Sequence, residues 1–221
     1  MLAQVQESLT IAVEVGHDIG ADLHVPANAT GLVVFAHGSG SSRYSARNRA
    51  IAAALNGRGL GTLLLDLLTE QEAQIDAEAP SYRFDVPRLA SRVVVATDWI
   101  LRQPSLQSLP IGYHGASSGA AAALIAAAER WTVAGAIVSR GGRPELATEA
   151  LPLVQAPTLL IVGGNDQANV RINERAMFQM RAAHVEMAVV PGATHMFVEP
   201  GALDHVSALA GDWFVKYLHP R

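Results

Sequence analysis

From about residue 31 onward, short apolar runs bounded by Gly, Pro and Asn alternate with longer stretches of helical periodicity. Few chain courses satisfy that alternation, because parallel strands need long crossovers and helices supply them. Strands are predicted at residues 32–36, 62–65, 111–114, 133–138, 158–162 and 186–190. Several of these are nearly continuous in Val, Ile and Leu, as strands covered on both faces are. Helices are predicted at 45–56, 85–102, 119–130, 170–181 and 200–217. Two earlier strands, near 8–15 and 21–25, flank "GHDIG" and read as an antiparallel hairpin leading into the sheet. The expectation is an α/β fold with a mostly parallel central sheet flanked by helices. No composition break or internal repeat divides the 221 residues, so residues 1–221 are taken as a single domain. The one long irregular stretch, residues 67–84, "LLTEQEAQIDAEAPSYRF", is a candidate lid or a mobile excursion.

Composition excludes several functions. A net charge of −4 speaks against a nucleic-acid surface, which needs clustered Lys and Arg in excess. With no cysteine, disulfides, thiolate catalysis and Cys-ligated zinc are ruled out. The amino-terminal "MLAQVQESLTIAVEV" lacks the pattern of a signal peptide. The most apolar stretch, residues 120–128, is far short of the roughly 20 residues a membrane span needs. The expected protein is cytoplasmic, a monomer or homodimer, with a small-molecule partner and neither nucleic acid nor membrane. No H-E-x-x-H or G-x-x-x-x-G-K-[ST] string occurs, so no metal or cofactor is expected.

In "HGASSGAAAAL" the pattern Gly115-x-Ser117-x-Gly119 stands between a predicted strand and an alanine-rich helix. A serine on so sharp a strand-to-helix turn is held in a strained conformation, and flanking glycines remove the Cβ atoms that would clash. Its hydroxyl is thereby lifted above the sheet edge. The backbone N–H of Ser118, at the helix start, is then aimed at any oxyanion formed on an attacked carbonyl.

Such a serine needs a base, and the base an orienting acid. Of eight histidines, His17 and His24 fall in the leading hairpin, His184 in a surface turn, His205 on a helix and His219 at the end of the chain. His195, in "VVPGATHMFVEPG", lies in a loop directly after the last predicted strand, where a parallel sheet presents its ligand-facing edge. Asp166, in "LLIVGGNDQANV", follows strand 158–162 in the same manner; Asp66, closing "TLLLD", is the alternative acid. The chain order Ser117, Asp166, His195 is that of an α/β-hydrolase. A second oxyanion donor is expected from "FAHGSGSSR", where the first core strand runs into His37-Gly38-Ser39-Gly40: the N–H of Ser39, or of Gly40, with His37 holding the loop.

Through "FAHGSGSSR", "GASSGAAAAL", "VGGND" and "PGATHMF" the chain resembles the α/β-hydrolase superfamily, and is similar within it to the small dienelactone-hydrolase-like branch, which lacks a large cap domain. The resemblance covers nearly the whole chain and implies a Ser–Asp–His hydrolase of small esters or lactones. It departs in its nucleophile, since dienelactone hydrolase proper uses cysteine, so the substrate does not carry over. Arg43, Arg47 and Arg49 crowd the segment after the oxyanion loop, and Arg140 and Arg143 follow strand 133–138. Arg43 and Arg140 are the candidates to hold a substrate carboxylate. Two other functions are weighed against these. A dinucleotide-binding oxidoreductase would want a glycine where Arg43 stands. A non-catalytic binding protein would keep the scaffold without needing all three triad residues.

Overall fold

Every residue of Gly31–Ala36 is buried, and the strand lies at the centre of a sheet that runs out from it on both sides. The structure, a computed structural model, describes residues 3–181 and 183–219; Met1 and Leu2, at the head of the amino-terminal stretch discussed above, lie outside them. Among the described residues eight strands form one sheet: β1 (Val5–Glu14), β2 (His17–Val25), β3 (Gly31–Ala36), β4 (Leu60–Leu65), β5 (Ile111–Ala116), β6 (Ala134–Arg140), β7 (Thr158–Gly163) and β8 (Val185–Val190). Their spatial order is β1-β2-β4-β3-β5-β6-β7-β8. β1 and β2 are antiparallel to each other, β2 is antiparallel to β4, and β3 to β8 run parallel. All the parallel strands therefore end on one edge of the sheet. The expected mostly parallel α/β sheet is present.

Six α-helices cover it among the described residues: α1 (Ala46–Asn56), α2 (Glu70–Glu78), α3 (Val86–Arg102), α4 (Ser118–Glu129), α5 (Gln167–Gln179) and α6 (Ala202–Tyr217). The period-two alternation of the strands sorts the core into two layers. Leu32, Val34, Leu63, Leu65, Tyr113 and Ile137 join the layer beneath α3 and α4. Val33, Phe35, Leu64, Val138 and Ile161 join Phe214 and Trp213 of α6 and Ile51 and Leu55 of α1 on the other. Each such Leu, Ile or Phe, wholly removed from water, contributes about 1.5–3 kcal/mol. α4 is buried nearly all round; its run of alanines combines the highest helix propensity with side chains small enough for close packing on the sheet.

Two local expectations differ from the structure. The hairpin turns at Val15–Gly16, with Gly16 at φ 77°, and not across "GHDIG"; β2 already begins at His17, and its buried positions Ile19, Ala21, Leu23 and Val25 alternate through that string. Gly20 is there for closeness, not for turning, since a Cβ on it would sit 1.9 Å from the Arg43 guanidinium. Residues 67–84 are not irregular either. They contain α2, opened by a capping box in which the Thr69 hydroxyl accepts the Glu72 N–H and the Glu72 carboxylate accepts the Thr69 N–H. Among the described residues no helix is long and apolar enough to cross a membrane.

Candidate active site

At the turn from β5 into α4 the backbone departs from ordinary geometry. Ser117 has φ 51° and ψ −121°, a region that costs a non-glycine residue about 1–3 kcal/mol. Neighbouring loops hold it there: its N–H donates to the Arg140 carbonyl at 3.2 Å, and its own carbonyl accepts from Arg143 N–H at 3.1 Å and Ala120 N–H at 3.0 Å. The flanking glycines are required by closeness. A Cβ on Gly119 would lie 2.3 Å from the Ala36 and His37 carbonyls, and one on Gly115 would lie 2.3 Å from the Ala120 backbone. Ser117 occupies the N-cap position without making a side-chain cap, which leaves its hydroxyl free to face the cleft.

Asp166 and His195 are brought together by two loops stitched to each other. Gly164 N–H donates to Val190 carbonyl and Asn165 N–H to Ala193 carbonyl, both at 2.9 Å, while the Asn165 amide reaches Gly192. One Asp166 oxygen caps α5 through Asn169 N–H at 3.2 Å; the other lies 2.9 Å from His195 Nδ1. A carboxylate can only accept, so Nδ1 carries a proton, and the tautomer this selects for a neutral imidazole has its lone pair on Nε2. Gly141, also at positive φ, lies beside His195, where an added Cβ would come within 3.5 Å of the ring. Ser117 and His195 line one cleft of about 130 Å³ with Gly38, Ser39, Met196 and Arg140.

The oxyanion loop lies beside them. His37 is buried and bonded at both nitrogens, Nδ1–H to the Gly38 carbonyl at 2.9 Å and Nε2 from Leu67 N–H at 3.0 Å; burial pushes its pKa down, so it stays neutral. Ser39 N–H donates to the Ser118 hydroxyl at 3.0 Å. That hydroxyl lies 2.8 Å from Ser39 Oγ, which itself donates to the Arg83 carbonyl at 2.9 Å. The two expected donors are therefore adjacent, but the Ser39 amide is engaged by a side chain that sequence reasoning asked only for its backbone. The Ser118 N–H, in the first turn of α4, has no intrahelical acceptor.

Asp66 is elsewhere. It accepts the Arg43 N–H at 2.8 Å and pairs with the Arg43 guanidinium, which also reaches Asp22 at 3.4 Å and stacks on Tyr44. Arg43 thus has two acids and does not line the cleft. Arg140 does: it is only 6% exposed, donates to Asn48 Oδ1 at 3.0 Å and lies over the Phe197 ring. Burial and the nearby Arg47 push it down to about 10, still a cation at neutral pH. Arg47 and Asn48, in the first turn of α1, line the cleft in the place expected of Arg43. Nothing in their spacing singles them out; only the start of α1 against the sheet edge does. One further histidine, His114, is fully buried and stacked on Phe35 at 4.6 Å; burial and Arg140 push it to about 3, which removes it from proton transfer. Among the described residues no cluster of His, Asp or Glu could hold a metal.

Comparison with known proteins identifies the family. The sequence model of the dienelactone hydrolase family matches residues 19–214. A crystal structure of a dienelactone hydrolase from Anabaena variabilis superposes with a TM-score of 0.95 and 50% identity, covering 98% of this chain and 99% of that one. Est1E from Butyrivibrio proteoclasticus, at 15% identity and a TM-score of 0.77, shares the fold over 95% of this chain and 98% of its own. A protein of Mycobacterium tuberculosis called a putative phosphoribosyl transferase is 52% identical over 200 residues, which is 90% of this chain and 44% of that protein. The chain therefore spans less than half the length of that relative. With its family model, its near-superposable relative and its eight-stranded sheet in agreement, the chain belongs to the dienelactone hydrolase family.

Proposed function

We propose that the protein hydrolyses a small carboxylic ester or lactone through an acyl-enzyme on Ser117, with His195 as base and Asp166 as its orienting acid. The observation that carries this is the Asp166–His195 hydrogen bond, beside a cleft that both His195 and the strained Ser117 line. Ser117 Oγ attacks the carbonyl carbon while His195 Nε2 takes its proton; the imidazolium then protonates the leaving oxygen. Water repeats the sequence on the acyl-enzyme, releasing the acid and restoring Ser117. The tetrahedral oxyanion is received by Ser118 N–H at the positive end of α4 and by Ser39 N–H, once the Ser118 hydroxyl shares or yields that donor. These steps need no metal or cofactor, and the partner is the substrate alone. We read the phosphoribosyl transferase name of the mycobacterial relative as belonging to the part of it outside the match.

The test is turnover of p-nitrophenyl esters of graded chain length, with lactones and thioesters beside them. Ser117→Ala is expected to lower kcat by about 10³-fold or more with the fold intact, because only the oxyanion donors and substrate binding then remain. Near-normal turnover by that variant would exclude Ser117 as the nucleophile.

A further inference from the structure

Arg140 and Arg47 both line the cleft of Ser117, and among the described residues neither forms an ion pair with a carboxylate. The Nε–H of each is buried without a hydrogen-bond partner. Two other arginines, the partly buried Arg43 and the buried Arg92, have their acids: Arg43 has Asp66 and Asp22, Arg92 has Glu72 and Glu14. An uncompensated buried cation is strongly destabilising, and two facing one another more so. Around this pair the lining is acid-free: Ser41, Ser45 and Asn48 supply neutral polar groups, and Asn48 engages only one Arg140 nitrogen. The first turn of α1, capped by Ser45, adds free backbone amides and the positive end of a helix dipole.

We propose that this arrangement is a subsite for a phosphate group, so that the substrate is a small ester or lactone carrying a phosphomonoester. This rests on the reading of Ser117 as the nucleophile. The charge count separates phosphate from carboxylate. A carboxylate neutralises one guanidinium and leaves the other unpaired, whereas a phosphomonoester carries about −1.5 to −2 at neutral pH and offers three acceptor oxygens. Those oxygens can take both arginine forks together with hydroxyl or amide donors of the α1 start. The cleft, at about 130 Å³, admits only a small head group. The buried Arg140 guanidinium is also screened less by salt than exposed charges are.

The experiment is titration calorimetry of the Ser117→Ala protein with inorganic phosphate and with acetate at about 0.15 M salt, where exposed pairs are screened beyond roughly 8 Å. Phosphate is expected to bind at least about tenfold more tightly than acetate, and Arg140→Gln and Arg47→Gln are each expected to weaken phosphate at least about tenfold. Arg171→Gln, exposed on α5, is expected to change nothing. Should the buried Arg140 variant fail to fold, as judged by circular dichroism, the half-buried Arg47 variant decides. Equal binding of phosphate and acetate, or phosphate binding unchanged in the folded variants, would overturn the subsite. The two readings separate in a fluorophosphonate assay on the unmodified protein. Labelling of Ser117 that phosphate slows supports both. Labelling that phosphate does not slow overturns the subsite and leaves the hydrolase standing. Phosphate binding without any labelling overturns the ester substrate.

Discussion

Ser117 keeps a backbone conformation that costs it free energy because the end of β6 accepts from its N–H and the loop after β6 donates to its carbonyl, and it lines the same cleft as His195. That Asp166 and His195 would come together was legible in the sequence because each follows on a strand, and strand ends converge on one edge of a parallel sheet. Arg43 was not legible: its pairing with Asp66 and Asp22 depends on how β2 lies beside β4, which one-dimensional spacing does not fix. The two acids, Asp66 beside Arg43 and Asp166 beside His195, therefore carry different predictions. Asp166→Asn is expected to lower kcat/KM strongly but by less than His195→Ala, since the acid orients and does not itself move the proton. Asp66→Asn is expected to leave turnover near normal and to lower stability through the loss of its Arg43 contacts. An Asp66 variant slower than the Asp166 variant in the same ester assay would reverse the assignment.

His114 makes a prediction of a different kind at this scale. Burial and Arg140 depress it to about 3 in the folded chain, while an unfolded histidine titrates near 6.5. Between those values the unfolded chain binds the extra proton, so stability rises with pH across that window. Sign and window together mean that the contribution of neutral His114 is full above about pH 6.5 and is lost as pH falls toward 3. His37, depressed by its own burial, acts in the same direction. His114→Phe keeps a ring against Phe35 and is expected to flatten the acid limb of a urea-midpoint-against-pH curve. An acid limb as steep as in the unmodified protein would mean that His114 is not the group responsible.

Among the elements, the parallel strands and the long helices could be read directly, because apolar runs and 3.6-residue periodicity both report burial. α2 could not, since among its residues only Asp76 is buried and a polar helix shows no apolar stripe. Its one signal was the string Thr69-x-x-Glu72, a capping box that periodicity overlooks. The hairpin turn was misjudged for a related reason: Gly20 looked like turn chemistry but serves the close approach of Arg43. α2 and the turn that follows it matter for the site, because the Arg83 carbonyl holds Ser39 Oγ and Asp76 pairs with Arg83. Thr69→Ala is expected to cost about 1 kcal/mol in the capping of α2, seen as faster amide exchange over Glu70–Glu78 while the sheet amides stay protected. Unchanged exchange there would show that the cap does not hold the element.

Across the molecule, one sheet edge gathers what the chain scatters: Ser117 after β5, Asp166 after β7, His195 after β8, Ser39 after β3 and Arg140 at the end of β6. The two-layer core beneath them is what makes that edge rigid. The fold class could be foreseen from pattern alone, and the family resemblance from four short strings. The occupied Ser39 amide and the unpaired Arg47 and Arg140 could not, because each depends on side chains meeting across elements. The central claim, an activated Ser117, is tested most directly by treating the unmodified protein with a fluorophosphonate and locating the adduct by peptide mass spectrometry. The expected result is one adduct per chain, on Ser117, that is lost when His195 is replaced by Ala. No adduct on the folded protein, or an adduct on another residue with Ser117 unmodified, would contradict it.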